Sequence, residues 1–200
     1  MSSSYRDSTQ QTIEMALQNI DTSNSFISAE ALKYVVDSDL GKYFVGIYDN
    51  DPTSKRTLID QVKTRILASQ VVNSYISNIY IIPSGDLQMI STKNKAQKGI
   101  YQEYMDEMAV DGKLGQWDDH HNALDEYLSI DSSRYIMVYQ AAAQNGKAVI
   151  VIDIKAEAVT EFMQGLNLGD GSIVGFVTAG GRELAVKRNA GDEQGTPVEG

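Results

Sequence analysis

Apolar or small residues fall at Ile13, Leu17, Ile20, Ile27, Ala31 and Tyr34-Val35, in steps that alternate between four and three, with Asn24 filling the missing place. The pattern predicts one long helix over 9–37, or two broken near Asn24, carrying a heptad-like stripe. Such a stripe serves either a helix lying on its own domain or one that also pairs with its copy in a dimer, with Asn24 setting the register. Leu40 to Asn50 is short, aromatic and broken by Gly41 and Gly46. Asp51-Pro52-Thr53 then reads as a helix start, and Leu58, Ile59, Val62, Ile66, Leu67 and Val71 recur at helical spacing to about Asn73.

Beyond Asn73 the period changes. Ile76 to Ile82 is rich in β-formers, Pro83-Ser84-Gly85-Asp86 is turn chemistry, and Leu87 to Ser91 reads as the return strand of a hairpin. Ile100 to Met108 predicts a short helical piece. Asp111 to Asp119 predicts a glycine-broken loop with the only tryptophan, Trp117, and His121, Leu124 and Leu128 a further short helix. Tyr135 to Ala143 and Lys147 to Ile154 predict two strands joined at Asn145-Gly146. Ala156 to Leu166 is helical, ended by Gly165, Gly169 and Gly171, and Ile173 to Val186 forms a last hairpin around Gly180-Gly181. The stretch 81–87 echoes 176–182, with Gly85 matching Gly180, as in two like hairpins or a repeated module whose second copy has only begun.

The 42% hydrophobic content of this 200-residue chain permits a proper core. A net charge of -10 opposes phosphate and anionic lipid, so neither nucleic acid nor a membrane surface is an expected partner. With no cysteine, disulfides and thiol chemistry are excluded. The longest apolar run, Ala148 to Ile152, stops at Asp153, far short of the roughly 18 residues a membrane span requires.

Candidate chemistry is sparse. Asp118-Asp119-His120-His121 is the only metal-capable cluster, but neighbours on a helix diverge, and Asp118 or Asp119 fits better as a helix cap. No nucleophile elbow, P-loop or Rossmann loop is present: Gly169-Asp170-Gly171 follows a helix and opens a strand, the inverse of the dinucleotide order. No catalytic residue, metal or cofactor is expected. Asp153 stands out at the end of an apolar strand. It either faces solvent, caps the helix from Ala156, or projects into a cavity, where it would demand a cationic or hydrogen-bonding partner such as a ligand ammonium. Arg134, Tyr135 and Tyr139 stand on the preceding strand, with Tyr135, Met137 and Tyr139 expected on one face, and Trp117 could close over the same pocket.

The hairpin Ile79 to Leu87, the Trp117 loop, the strand Tyr135 to Tyr139 and the run Val149-Ile150-Val151-Ile152-Asp153-Ile154 before a short helix appear in the order of the Cache family. Over about 10–186 the chain resembles these extracytoplasmic sensor domains, especially the double-Cache type of bacterial chemoreceptors and sensor kinases. The resemblance implies an α+β fold, a PAS-like central antiparallel sheet flanked by helices, with a long N-terminal helix continuing from a membrane span. It implies a small-molecule pocket in which an aspartate placed like Asp153 holds a ligand amine and a tryptophan placed like Trp117 lines the wall. Where the amino-acid-binding subfamily has an arginine two residues before that tryptophan and a tyrosine after it, this chain has Gly115 and Asp118, and Tyr127 is followed by Leu128-Ser129.

The expected organisation is a helical stalk over 1–50, a PAS-like sensor module over 51–168, and a final hairpin or truncated second module with a tail over 169–200. The expected function is ligand sensing by Asp153, Trp117, Tyr139, Tyr135 and Arg134 on the extracytoplasmic side of a bacterial membrane. The parent would be a chemotaxis receptor or, alternatively, a histidine kinase, dimeric through the N-terminal helix and joined to the membrane only through flanking segments. A non-sensing protein-interaction module is the other class that fits, and a hydrolase around Asp119, His120 and His121 the third.

Overall fold

The computed structural model describes residues 2–92, 100, 102–104, 106, 117–118, 121–129, 135–143, 146–177, 181 and 183–189. The chain opens with α1 (Ser2–Val35), α2 (Ser38–Phe44) and α3 (Pro52–Val72). The α1 helix runs through Asn24 without a break. Asp37 caps α2, accepting from the amides of Asp39 (3.0 Å) and Leu40 (2.8 Å), and Asp51 caps α3 through the Ser54 amide at 3.0 Å, with Pro52 in the first turn. The segment between these caps, expected only as broken aromatic sequence, is thus largely helical, because Leu40, Tyr43 and Phe44 are buried on one side of it.

The strands are β1 (Ile76–Pro83), β2 (Trp117–Asp118), β3 (Tyr135–Ala143) and β4 (Ala148–Lys155), with α4 (Asn122–Leu128) between β2 and β3. They form one antiparallel sheet in the order β1-β4-β3-β2. Ile90 adds a single hydrogen-bonded bridge to the free side of β1, exchanging bonds of 2.9 and 3.0 Å with Ile81. The expected return strand is therefore reduced to isolated bridge residues, Gln88 and Ile90. Trp117 lies in the edge strand β2 rather than in a loop.

Both faces of the sheet are covered, which is why β4 reads as an unbroken apolar run. On one face Ile79, Ile81, Ile150 and Ile152 pack with Ile27, Ala31 and Tyr34 of α1, Tyr43 of α2, and Val62 and Ile66 of α3. On the other, Tyr80, Ile82, Val149 and Val151 pack with Met89, Ile100, Tyr104, Leu124 and Leu128. The register shifts between Ile76 and Asn78. This irregularity puts Ile76 in the helix-side core although Asn78, two residues on, pairs with Asp153 of the opposite face. A second shift between Tyr135 and Met137 breaks the expected alternation of Tyr135, Met137 and Tyr139.

The chain continues through α5 (Ala156–Gln164) into a separate two-stranded sheet, β5 (Ile173–Val177) with β6 (Glu183–Arg188). Lys187 ties this hairpin to the end of α5, its Nζ donating to the carbonyls of Gln164 (2.9 Å) and Leu166 (2.6 Å); a cation there also suits the negative end of the helix. The left-handed glycines of the two hairpins are Gly85 (φ 72°) and Gly181 (φ 85°), whereas Gly180, the expected match of Gly85, lies outside the described residues.

The α1 stripe divides along its length. Ile27, Ala31 and Tyr34 are buried in the chain's own core, while Ile13 and Leu17 are 37% and 55% exposed. Ala16, off the stripe, is buried against Met163, Leu166 and Leu168.

Candidate functional site

Antiparallel pairing sets Asp153 of β4 between Asn78 of β1 and Val138 of β3. It shares a face with Val149 and Val151, and its side chain is 2% exposed. It is therefore not the solvent-facing aspartate that a strand end suggests, and it does not cap α5, whose cap residue Lys155 has no side-chain cap bond. A carboxylate buried this deeply requires a positive or hydrogen-bonding partner.

That partner comes from the same chain. His121 precedes α4 in a non-helical conformation (φ −143°, ψ 82°) and makes no side-chain cap bond. Its Nε2 lies 2.7 Å from Asp153 Oδ1, its Nδ1 lies 3.0 Å from Asp125 Oδ1, and the ring is fully buried. Asp125, one turn along α4, is placed there because its amide bonds the His121 carbonyl at 3.0 Å. His121, and neither Asp118 nor Asp119, is the cap residue of α4; Asp118 belongs to β2 and Asp119 lies outside the described residues.

Tyr80 and Asn78 complete the cluster from β1. The Tyr80 ring meets the imidazole edge to face, centroids 5.9 Å apart at 86°. Asn78 is buried, and its Oδ1 accepts from the Ile79 amide at 2.9 Å and the Thr92 hydroxyl at 3.1 Å. Its Nδ2 makes no hydrogen bond among the described residues.

The electrostatics follow from burial and neighbours. Burial pulls the His121 pKa down, but Asp153 and Asp125 more than offset it and push the imidazole up to about 10. Burial raises Asp153, opposed by the charge and hydrogen bond of His121 and by the Tyr80 phenol. The two shifts thus have different causes, burial for Asp153 and the two flanking carboxylates for His121, and together they favour a proton on the imidazole. The Tyr80 phenol is raised, first by burial and then by the Asp153 charge.

A histidine oriented by a carboxylate is half of a catalytic triad, but here both ring nitrogens face carboxylates and the ring has no exposed surface. The carboxylates bridge through the ring instead of converging on a point, and no group able to hold a metal ion is found among the described residues. The arrangement clasps α4 to the sheet and stores a proton.

The other expected site residues are placed by register. Trp117 pairs with Tyr139, which pairs with Ile152; Asp118 pairs with Val138, which pairs with Asp153. Trp117 and Tyr139 thus stand in one cross-strand row and Asp153 in the next. Tyr135 pairs with Lys155 at the end of β3, and Arg134, Asp119 and His120 lie outside the described residues. His121 and Asp125 were missed as partners of Asp153. The available signal was the His-x-x-x-Asp spacing, which puts a carboxylate one turn beyond a histidine that already falls on the apolar side with Leu124 and Leu128. No family profile and no curated protein sequence matches the chain.

Proposed function

We propose that this chain is an extracytoplasmic ligand-sensing domain of a bacterial transmembrane signal transducer, most simply a chemotaxis receptor, with a PAS-like sheet. The strand order carries the proposal. Counting the Ile90 bridge as the second strand, the sheet runs second, first, fifth, fourth, third in chain order, all antiparallel. A single antiparallel sheet in that order, with a long helix leading in and helices against both faces, supports a PAS-like reading. Asp153, Trp117, Tyr139, Tyr135 and Arg134 are then the ligand-contacting residues expected from the sequence; the register itself pairs Trp117 with Tyr139 and Tyr139 with Ile152, in the row next to Asp153, and adjacent rows alternate between the two faces of a sheet. In this reading the function is binding and relay, without catalysis.

Signal would pass through α1. Its lower half is fixed to the sheet by Ile27, Ala31 and Tyr34, and its upper half exposes Ile13 and Leu17, which would pair with a second copy. A ligand moves such a helix only by its differential affinity for two states, typically about 1–3 kcal/mol. A histidine kinase parent would use the same domain in the same way.

Thermal unfolding against a panel of amino acids, amines, small carboxylates, purines and sugars tests the reading. Ligand at about 100 times its Kd adds about 2.7 kcal/mol, a rise of roughly 5–11 °C for a domain of this size. A rise confined to one chemical class supports a sensor. A flat panel favours a protein-interaction module, a reading that gains from Asp153 having its counter-charge inside the chain and from the exposed Phe26, Leu67, Val71 and Val72.

A further inference from the structure

On the other side of the molecule from the His121 cluster, α1, the α3–β1 junction and α5 enclose a groove of about 680 Å³. It falls in the range of small-molecule sites, about 300–1,000 Å³. Phe26 of α1, Val72 at the end of α3, Tyr75 before β1, Ile154 of β4, and Ala158 and Phe162 of α5 line it. No Lys, Arg, His, Asp or Glu lines it, although 22% of the chain is charged.

Its polar groups are neutral. Asn19, Asn24 and Asn73 are amides, able to donate and accept, set among the apolar walls. Asn24 is the residue that interrupts the apolar stripe of α1, and it falls in this groove. Phe26, 64% exposed, and Val72, 89% exposed, have wide apolar surface still open to water. Covering such surface is favourable at about 25 cal/mol per Å², and a charged guest would lose its hydration with no opposite charge to receive it.

We propose that this groove binds an uncharged, largely apolar small molecule with an aromatic or alicyclic body and few hydrogen-bonding atoms. The molecule would lie between α1 and α5, its body against Phe26, Tyr75 and Phe162 and its polar atoms toward Asn24 and Asn73. The groove is separate from the sensor pocket, since none of the residues proposed for that pocket lines it, but Ile20 and Asn24 also belong to the α1 stripe through which the sensor reading would pair two copies, so dimer formation there and small-molecule binding here are competing uses of one surface. Binding there would tie α1 to α5, two helices otherwise joined through Ala16 and Met163.

N-phenyl-1-naphthylamine, neutral and fluorescent in apolar surroundings, is the probe for the whole chain. Saturable binding at one site per chain is expected, and it should be weaker by about tenfold for the anionic 1-anilinonaphthalene-8-sulfonate. Ala158→Trp, which fills the groove, should abolish binding. Asn24→Lys, which adds a charge on a longer, flexible side chain that can extend out of the groove, should weaken it about tenfold. Ile47→Ala, a change at an exposed residue away from the groove, should leave it unaltered. Melting temperatures show whether each variant is folded, and Asn24→Lys decides if Ala158→Trp is not. Absence of saturable binding, equal affinity for the anionic dye, or binding indifferent to both groove variants would overturn the proposal. So would sedimentation as a dimer that Asn24→Lys dissociates, because a second copy would then cover the groove.

Discussion

The two faces of the central sheet are made by the same strands and solve burial differently. On the helix side, Ile79, Ile81, Ile150 and Ile152 meet mostly apolar residues of α1, α2 and α3, and the polar groups described there are neutral tyrosine hydroxyls, that of Tyr43 donating to the Gln88 carbonyl at 2.7 Å and that of Tyr34 lying 3.2 Å from Ser69 Oγ. On the other side the same alternation gives Tyr80, Ile82, Val149 and Val151, but the row ends in Asn78 and Asp153, and His121 and Asp125 come up from α4 to meet them. Apolar packing tolerates changes of volume at modest cost. A buried charge network is all-or-none, because each member satisfies another that would otherwise be alone.

Removing the central carboxylate should break the comparison most severely. Asp153→Ala leaves a buried imidazole facing Asp125 alone and is expected to cost about 3–5 kcal/mol in urea unfolding. Replacing all three charged members, His121→Leu with Asp153→Leu and Asp125→Leu, should recover most of that loss, since well-packed apolar residues can equal a buried ionic network. A loss below about 1 kcal/mol for Asp153→Ala would mean that the network carries no more than a surface pair does.

Next in size is a pH effect with a definite sign. The folded-state pKa of His121 is raised from 6.5 to about 10, so its contribution is fully present below about pH 6.5 and is lost as pH rises toward 10. Asp153, also raised from its ordinary 3.8, acts in the same sense, favouring the fold at the acid end. The melting temperature should therefore fall between pH 6.5 and 10 by more in the parent protein than in His121→Asn, which has no such proton to lose. Equal slopes in the two proteins would show that the pair does not hold the proton.

How legible these faces were differed with the physics behind them. The helix of α3 and its start at Asp51-Pro52 were readable because capping and periodicity are local, and β1, β3 and β4 because their β-branched runs are strong. The sequence also singled out Asp153 as needing a partner if buried. It did not supply the partner, because His121 reaches Asp153 across 32 positions through a non-helical cap conformation that no periodicity encodes. The irregularity at Ile76/Asn78 was equally hidden. Strict alternation would have put Ile76 and Asn78 on one face, and only pairing with β4 shows that they serve opposite ones. Leu87 to Ser91 has strand-like composition, which does not register how many of its backbone groups find a neighbour, and in the structure it forms only isolated bridge residues at Gln88 and Ile90.

The smallest expected effects give the sharpest contrast between the faces, since the same atom can be removed from each. Tyr43 and Tyr80 are both fully buried tyrosines with phenols raised by burial, Tyr43 to about 12. Tyr43→Phe deletes a neutral hydrogen bond to a carbonyl and should cost about 1 kcal/mol. Tyr80→Phe deletes a phenol proton that helps hold the Asp153 charge and should cost about 2 kcal/mol, keeping the ring edge on His121. The two should also differ in coupling. Combined with Asp153→Asn, Tyr80→Phe should fall short of additivity by about 0.5 kcal/mol or more, because the charge it served is already gone. Tyr43→Phe, on the other face, should add to Asp153→Asn within the error of the measurement. Additivity for both tyrosines would mean that Tyr80 is a packing residue, and the polar character of its face would then reside in His121, Asp125 and Asp153 alone.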